Sequence, residues 1–446
     1  MKTPNIIQII WHDLGDYLGC YGRAGIRSPE LDRFAAEGVI FRRMFATSSH
    51  CSPSRGSIMT GRYPHANGLM GLAQNGWHYH AGQETLGHVL KRYGYRTVLC
   101  GLQHELSHLP EAKTRSVLGY DEILPAQSHA CIHVAPEACR FIRARQGGSR
   151  FFLSVGFQDV HRPYEKPYAD EPSAADIETV TLPPYMIDHE ETRRDFARFG
   201  KLIETADRHT GMILDAIREA GLEKDTLVFF TTDHGPPFNR AKGTCYDPGL
   251  KVAALFRWTG RIPAGTEIAG LASNLDIMPT LLEMCGLPVP GSVQGIPLVP
   301  ALLDGERTGR SQVIGERNYT THYDPMRAIR TERWKYIWNK NHQEPMYVLT
   351  PHARITGFDR ISELYGHPRP ETELYDLQSD SDETENLSGR DDFRDIEQDL
   401  RSRLLAVLEE TGDPLLGGDI EAPRKLDPRY EWIAEGGRLR FRSIVE

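Results

Sequence analysis

The sequence predicts an α/β fold with a largely parallel sheet between helices, followed by a smaller α+β domain carrying an antiparallel sheet. Three observations predict it. Short apolar runs alternate with amphipathic stretches of helical spacing. Three of those runs end in histidine and aspartate, at the strand ends where ligands bind in such sheets. After about residue 320 the alternation gives way to short paired strands and a charged helix.

The elements follow in order. Residues 6–11 form a buried strand that ends at His12-Asp13. Residues 28–37 form a helix, with Ser28 as N-cap and Pro29 at the first helical position. Residues 85–93 are helical and 95–100 a strand. Residues 150–157 are a strand leading into Gln158-Asp159-Val160-His161. The span 193–220 has apolar positions at helical spacing and stops at Gly221, a natural C-cap. Residues 226–231 form a strand ending at Asp233-His234-Gly235, and 276–285 are helical. Residues 326–330 and 334–339 pair as a hairpin around Thr331-Glu332-Arg333. A short strand (373–377), an acidic solvated loop (379–386) and an amphipathic helix (391–410) follow. The expected division is 1–320 for the domain carrying the site and 321–446 for the smaller one.

The 446 residues are 39% hydrophobic and 25% charged, an ordinary globular balance. A net charge of -9 provides no basic face for nucleic acid. Affinity for an anion must therefore come from a local site. Seven scattered cysteines make no disulfide framework, and no Cys-x-x-Cys pair marks a structural zinc. No run approaches the ~18 apolar residues that span a bilayer, and the apolar run at 6–10 is too short for a signal-peptide core, so a cytoplasmic protein without a membrane partner is expected. Oligomeric state is left open.

Cys51-Ser52-Pro53-Ser54-Arg55, followed by Thr60-Gly61, resembles the sulfatase signature. The resemblance extends along nearly the whole chain. Lys242-Gly243-Thr244-Cys245-Tyr246-Asp247-Pro248-Gly249 resembles the family's Lys-Gly-x-x-x-Tyr-x-x-Gly stretch, and Gly101-Leu102-Gln103-His104 its Gly-Lys-x-His. Asn67 to Leu72, Asp159 to Arg162 and Asp324 to Arg330 look most like the heparan N-sulfatase (sulfamidase) group.

The resemblance implies an alkaline-phosphatase-like fold and hydrolysis of a sulfate ester or N-sulfate on a sugar. Cys51 would become formylglycine through a maturation enzyme. The hydrated aldehyde offers one hydroxyl to attack sulfur and a second whose deprotonation releases sulfate. His12, Asp13, Asp233 and His234, with the modified Cys51, would bind one divalent cation. Ca²⁺ or Mg²⁺ is the family default, while two imidazoles favour Mn²⁺, Zn²⁺ or Fe²⁺. Lys242 and His161 would bind sulfate, His161 also protonating the leaving oxygen, and His104 would contact formylglycine. Leu102 departs from the family's lysine, and a guanidinium, Arg55 or Arg162, is expected to stand in near Cys51. Two alternatives remain open: a phosphate or phosphonate diester hydrolase of the same superfamily, and a non-catalytic binding relative.

Overall fold

The computed structural model describes residues 3–107, 109–144, 148–320, 322–343, 345–346 and 366–423, and the backbone of 430–435 and 438–443. Nine strands build the main sheet: β1 (Asn5–Trp11), β2 (Val39–Phe45), β3 (Arg96–Gly101), β4 (Glu122–Leu124), β5 (Phe151–Gly156), β6 (Thr226–Thr232), β7 (Lys251–Val252), β8 (Ala254–Arg257) and β9 (Thr266–Ser273). Their order is β4-β3-β5-β1-β6-β8-β2-β7, with β9 also on β2. The five strands from β4 to β6 run parallel. The short β8 runs against both β6 and β2.

A parallel sheet is covered on both faces, so its strands are apolar throughout. In β1, Ile6 and Ile10 pack with Ile58, Met59, Leu86 and Leu281. Ile7, Ile9 and Trp11 pack with Val134, Phe199 and Leu202 on the other side. The helices Cys51–Thr60, Leu86–Arg92 and Ile277–Met284 supply the first layer. Pro29–Ala36, Cys131–Arg143 and Glu190–Glu219 supply the second. Ser28 precedes the Pro29–Ala36 helix but its side chain makes no cap bond. Its Oγ is taken by Gly19 N and Asp32. Asp207 of the long helix caps instead, accepting from Glu30 N and Leu31 N at 2.9 Å each. The long helix brings this carboxylate to the shorter helix's N-terminus, where exposed amides favour negative charge.

The second sheet is antiparallel, in the order β10 (Val313–Tyr319), β11 (Tyr323–Arg330), β12 (Trp334–Asn339), β13 (Thr372–Asp376). One face meets the Arg394–Thr411 helix, whose Leu400, Leu404 and Leu408 pack on Ile314, Ile329, Tyr336 and Leu374. Leucines at every fourth position form one stripe, each contributing roughly 1.5–3 kcal/mol on burial. The other face sets Met326, Ala328, Ile337 and Tyr375 against Cys245, Tyr246 and Leu250. The second sheet therefore lies directly against the segment that carries Lys242. The acidic loop 379–386 departs from the solvated loop expected: Glu383 is fully buried and accepts from Asp247 N at 2.6 Å. The buried ammonium of Lys335 draws it in. Two further strands, β14 (Tyr430–Glu435) and β15 (Arg438–Ser443), pair as an antiparallel hairpin.

Candidate active site

β5, β1 and β6 are adjacent and in register, with Ile10 opposite Gly156 and Trp11 opposite Thr232. Their carboxyl ends therefore deliver His12-Asp13, Asp159 to His161 and Asp233-His234 to one edge of the sheet. β3, beside β5, adds His104 through Gly101-Leu102-Gln103. Asp13 and His104 take positive φ, 53° and 61°. Such non-glycine backbone costs on the order of 1–3 kcal/mol and persists only where surroundings enforce it. Asp13 is held by its own N–H, which donates to Asp233 Oδ1 at 2.9 Å.

Cys51 is the first residue of a helix buried along its whole length. Its Sγ lies 3.2 Å from His234 Nε2, 3.6 Å from Lys242 Nζ, 3.8 Å from Asp13 Oδ1 and 3.9 Å from His12 Nδ1. Burial would raise the thiol pKa, but the charges of His12, Lys242 and His234 bring it well below the usual thiol value. The helix N-terminus adds a favourable dipole for negative charge at this position. One turn along, Arg55 Nε donates to Asp233 Oδ2 at 2.9 Å, and Arg55 Nη2 has no partner among the described residues. Ser54 Oγ donates to the Asp233 carbonyl, and Asn274 Nδ2 donates to Ser54 Oγ at 2.9 Å. Sequence reasoning missed Ser54 and Asn274 as supports, because a serine or asparagine near a helix start reads equally well as a cap.

Ligand atoms of His12, Asp13, Cys51, Asp233 and His234 all lie within 4.8 Å of one another, and all five residues are buried. Two carboxylates and two imidazoles around one point suit a divalent cation. Their orientation suits it as well. His234 Nδ1 donates to the Gly235 carbonyl at 2.8 Å, which leaves Nε2 facing Asp13 Oδ1 at 3.1 Å. His12 Nδ1 lies 2.5 Å from Asp13 Oδ1 and 3.5 Å from Asp233 Oδ2. Burial alone would lower the pKa of both histidines. The negative charges of Cys51, Asp233 and Asp13 overrule it, holding His12 at about 9 and His234 at about 10. The cluster's field thus favours positive charge.

Lys242 Nζ donates to both Asp13 oxygens, at 2.8 and 2.6 Å. His104 Nδ1 lies 3.2 Å from His12 Nε2, and burial lowers its pKa against the pull of Cys51. His161 is the partly open member, with 35% of its side chain exposed and Nε2 3.8 Å from Asp13 Oδ2. Its Nδ1 donates to the Arg162 carbonyl at 2.6 Å. Burial, with Lys242 and His12 nearby, lowers its pKa to about 4 against the pull of Asp13.

The structure thus assembles the residues singled out from sequence, and of the two guanidinia expected near Cys51, Arg55 reaches the cluster, at Asp233, while Arg162 is engaged elsewhere. Arg162 is committed to Asp195 through bonds of 2.8 and 2.5 Å and lies over Tyr164 and Phe238. Arg55 is bound to Asp233. A buried carboxylate captures each guanidinium more strongly than a thiol would. Leu102 is half-buried, and its N–H continues the β3 ladder by donating to Gly156 O at 2.8 Å.

Residues 4–287 match the family described as Sulfatase. Residues 239–352 match the family described as N-sulphoglucosamine sulphohydrolase, C-terminal. The chain is 28% identical to the human protein named N-sulphoglucosamine sulphohydrolase, over 96% of this chain and 95% of that one. It is 26% identical to the Formosa agariphila protein named Ulvan-active sulfatase, over 92% of this chain and 76% of that one. Among solved structures it is similar to one determined with its substrate D-glucosamine-2-N,6-O-disulfate: TM-score 0.73, 18% identity, 92% of this chain and 99% of that one. A structure from Bacteroides fragilis matches with TM-score 0.76 at 20% identity, covering 94% and 98%.

Proposed function

This chain belongs to the sulfatase family, hydrolases of sulfuric esters, and from that premise we propose that it removes sulfate from a sulfated sugar, as an O-sulfate ester or an N-sulfate. One observation carries the proposal: the side chain of residue 51 sits at a buried helix N-terminus, in contact with both Lys242 and the His/Asp donor set. The relatives' names support a saccharide substrate.

In this reading His12, Asp13, Asp233, His234 and residue 51 would hold the cation, which when bound would supply Lewis-acid polarisation of a sulfate oxygen. Formylglycine at position 51, if formed and hydrated, would supply the hydroxyl nucleophile and the second hydroxyl needed to release sulfate. The chain's own groups do the rest. Lys242 places an ammonium where charge grows on the transferring oxyanion. His104 orients the side chain at 51. Arg55 fixes Asp233 from beneath and leaves Nη2 as a spare donor. His161 is neutral while the site is free of anion. An arriving sulfate favours its protonated form, so Nε2 becomes the donor to the leaving oxygen or nitrogen.

The test is mass analysis of the Cys51 peptide after co-expression with a maturation enzyme, coupled to turnover of a sulfate ester, an N-sulfated glucosamine and a phosphodiester. Conversion removes about 18 Da, the thiol CH₂–SH becoming an aldehyde. Cys51→Ala is expected to fold and be inactive. An unmodified thiol in a fully active enzyme, or faster cleavage of the phosphodiester, refutes the reading.

A further inference from the structure

The geometry holding Lys242 points beyond its own sheet. Lys242 lies in the segment that connects β6 to the four-residue helix Asp247–Leu250. Arg240 and Gly243 on either side of it take left-handed backbone, φ 64° and 83°. Glycine tolerates this freely, whereas an arginine needs outside restraint. The first sheet's side of the molecule offers main-chain bonds: Lys242 N to Pro236 O and Gly243 N to Ser49 O, both 3.1 Å.

The side-chain anchors come from the second sheet and the acidic loop. Arg240 donates to the carbonyl of Glu383 and lies 4.1 Å over the ring of Tyr246. Tyr246 OH donates to Glu373 Oε2 at 2.7 Å. Asp247 N donates to Glu383 Oε2 at 2.6 Å. Lys335 Nζ bridges Asp247 Oδ1 and Glu383 Oε1 at 2.7 and 2.8 Å. Glu383 and Lys335 are both fully buried, and Glu383 itself has φ 57°. Two non-glycine residues in left-handed backbone, 240 and 383, are thus joined by a hydrogen bond, and each restrains the other. An acidic loop that reads as solvent-facing instead drives one carboxylate into the joint.

We propose that Glu383 is a positioning residue for Lys242: with Lys335 and Arg240 it fastens the lysine-bearing segment to the second sheet and so sets where the ammonium meets the substrate. Glu383 stands outside the Cys51 cluster, so its effect on turnover must pass through the segment. The inference rests on the reading of Lys242 as a sulfate-binding group.

A double-mutant cycle on the full-length, metal-loaded, formylglycine-bearing protein tests it. Glu383→Gln, Lys242→Ala and the double variant are assayed for kcat and KM on glucosamine N-sulfate and an aryl sulfate, and for inhibition by inorganic sulfate. Glu383→Gln is expected to lower kcat/KM about tenfold and to weaken sulfate inhibition, as displaced catalytic groups do. In the Lys242→Ala background the same change is expected to cost nothing more, because coupled residues are not additive. Additive losses, or full activity in Glu383→Gln, overturn the inference. Full activity in Lys242→Ala overturns the role of Lys242 instead, so the two failures are distinguishable. If Glu383→Gln does not fold, Arg240→Met breaks the same joint and takes its place in the cycle.

Discussion

Arg162 sits next to His161 in the chain, yet its geometry is that of a strut, and this can be tested by removing it with and without its partner. It makes a two-pronged contact with Asp195, at 2.8 and 2.5 Å, and also donates to Pro237 O at 3.1 Å. The two side chains are only 11% and 7% exposed. At ~2.8 Å and an effective dielectric of ~20 the attraction is about 6 kcal/mol, much of which desolvation takes back. Arg162→Leu leaves Asp195 buried without its partner, and the expected loss of stability is about 3 kcal/mol. Replacing both, Arg162→Leu with Asp195→Leu, is expected to restore about 2 kcal/mol of that, since an apolar pair suits a wall already formed by Tyr164 and Phe238.

The penalty in the single variant has a pH signature. Burial raises the Asp195 pKa above the usual carboxylate value even with Arg162 opposing it. Without Arg162 it rises further. The folded state then holds a proton that the unfolded chain releases above about pH 4, so stability falls as pH rises through that window. Below the unfolded value that penalty is absent. Urea unfolding at several pH values measures this. Turnover supplies the other arm. His161 bonds the main-chain carbonyl of Arg162 rather than its side chain, so the bond survives substitution. The double variant is expected to retain kcat/KM within about fivefold. A refolded, stable double variant that has lost more than about a hundredfold would show that the guanidinium touches substrate, and would refute the strut.

Three further outcomes are expected. Asp233→Asn removes a charged donor and the anchor of Arg55, so titration calorimetry should show divalent-cation affinity falling at least about tenfold; unchanged affinity would remove Asp233 from the donor set. Burial opposes ionisation of Asp324, but Arg317 and Arg369 hold its pKa below the usual value, so it contributes stability above about pH 4 that is lost as pH falls through the folded value. Asp324→Asn should therefore cost about 3–5 kcal/mol near neutrality and little in strong acid, as read by denaturant melts. Leu102→Lys should not raise kcat/KM, because the new ammonium needs a partner in a half-buried setting; a gain of about tenfold or more would show a lysine simply lost.

The strands that position the site were readable because β1, β5 and β6 are apolar on both faces, as central parallel strands must be. Strand β2 was not, since Arg42 and Arg43 interrupt its apolar run; both reach across to β9, at Glu267 and the Ala269 carbonyl. β10 hides for a related reason. Its Glu316, Arg317 and Asn318 are buried, and burial of charge becomes intelligible only when His65 and Asp324 are seen beside them. Pro136 lies inside the Cys131–Arg143 helix, where the residue type argues against one. The His/Asp pairs were legible at strand ends, because identity and position together mark them. The contacts from Asp195 to Arg162 and from Glu383 to Asp247 join residues distant in sequence, and no local pattern announces them.

The balance of charge explains why the cluster accommodates leucine at position 102. Each carboxylate already has its own cation: Arg55 reaches Asp233 from within the helix, and Lys242 reaches both oxygens of Asp13. A lysine at 102 is therefore not needed to neutralise the donor set of His12, Asp13, Asp233 and His234. What the substitution changes is the charge offered to the substrate. On the function proposed above, Lys242 has to serve both Asp13 and an arriving sulfate, so its placement matters more than in a site with two lysines. Displacing one ammonium by about 1 Å removes a larger share of the available attraction when there is no second to compensate. The buried joint at Glu383 is where the fold fixes that placement.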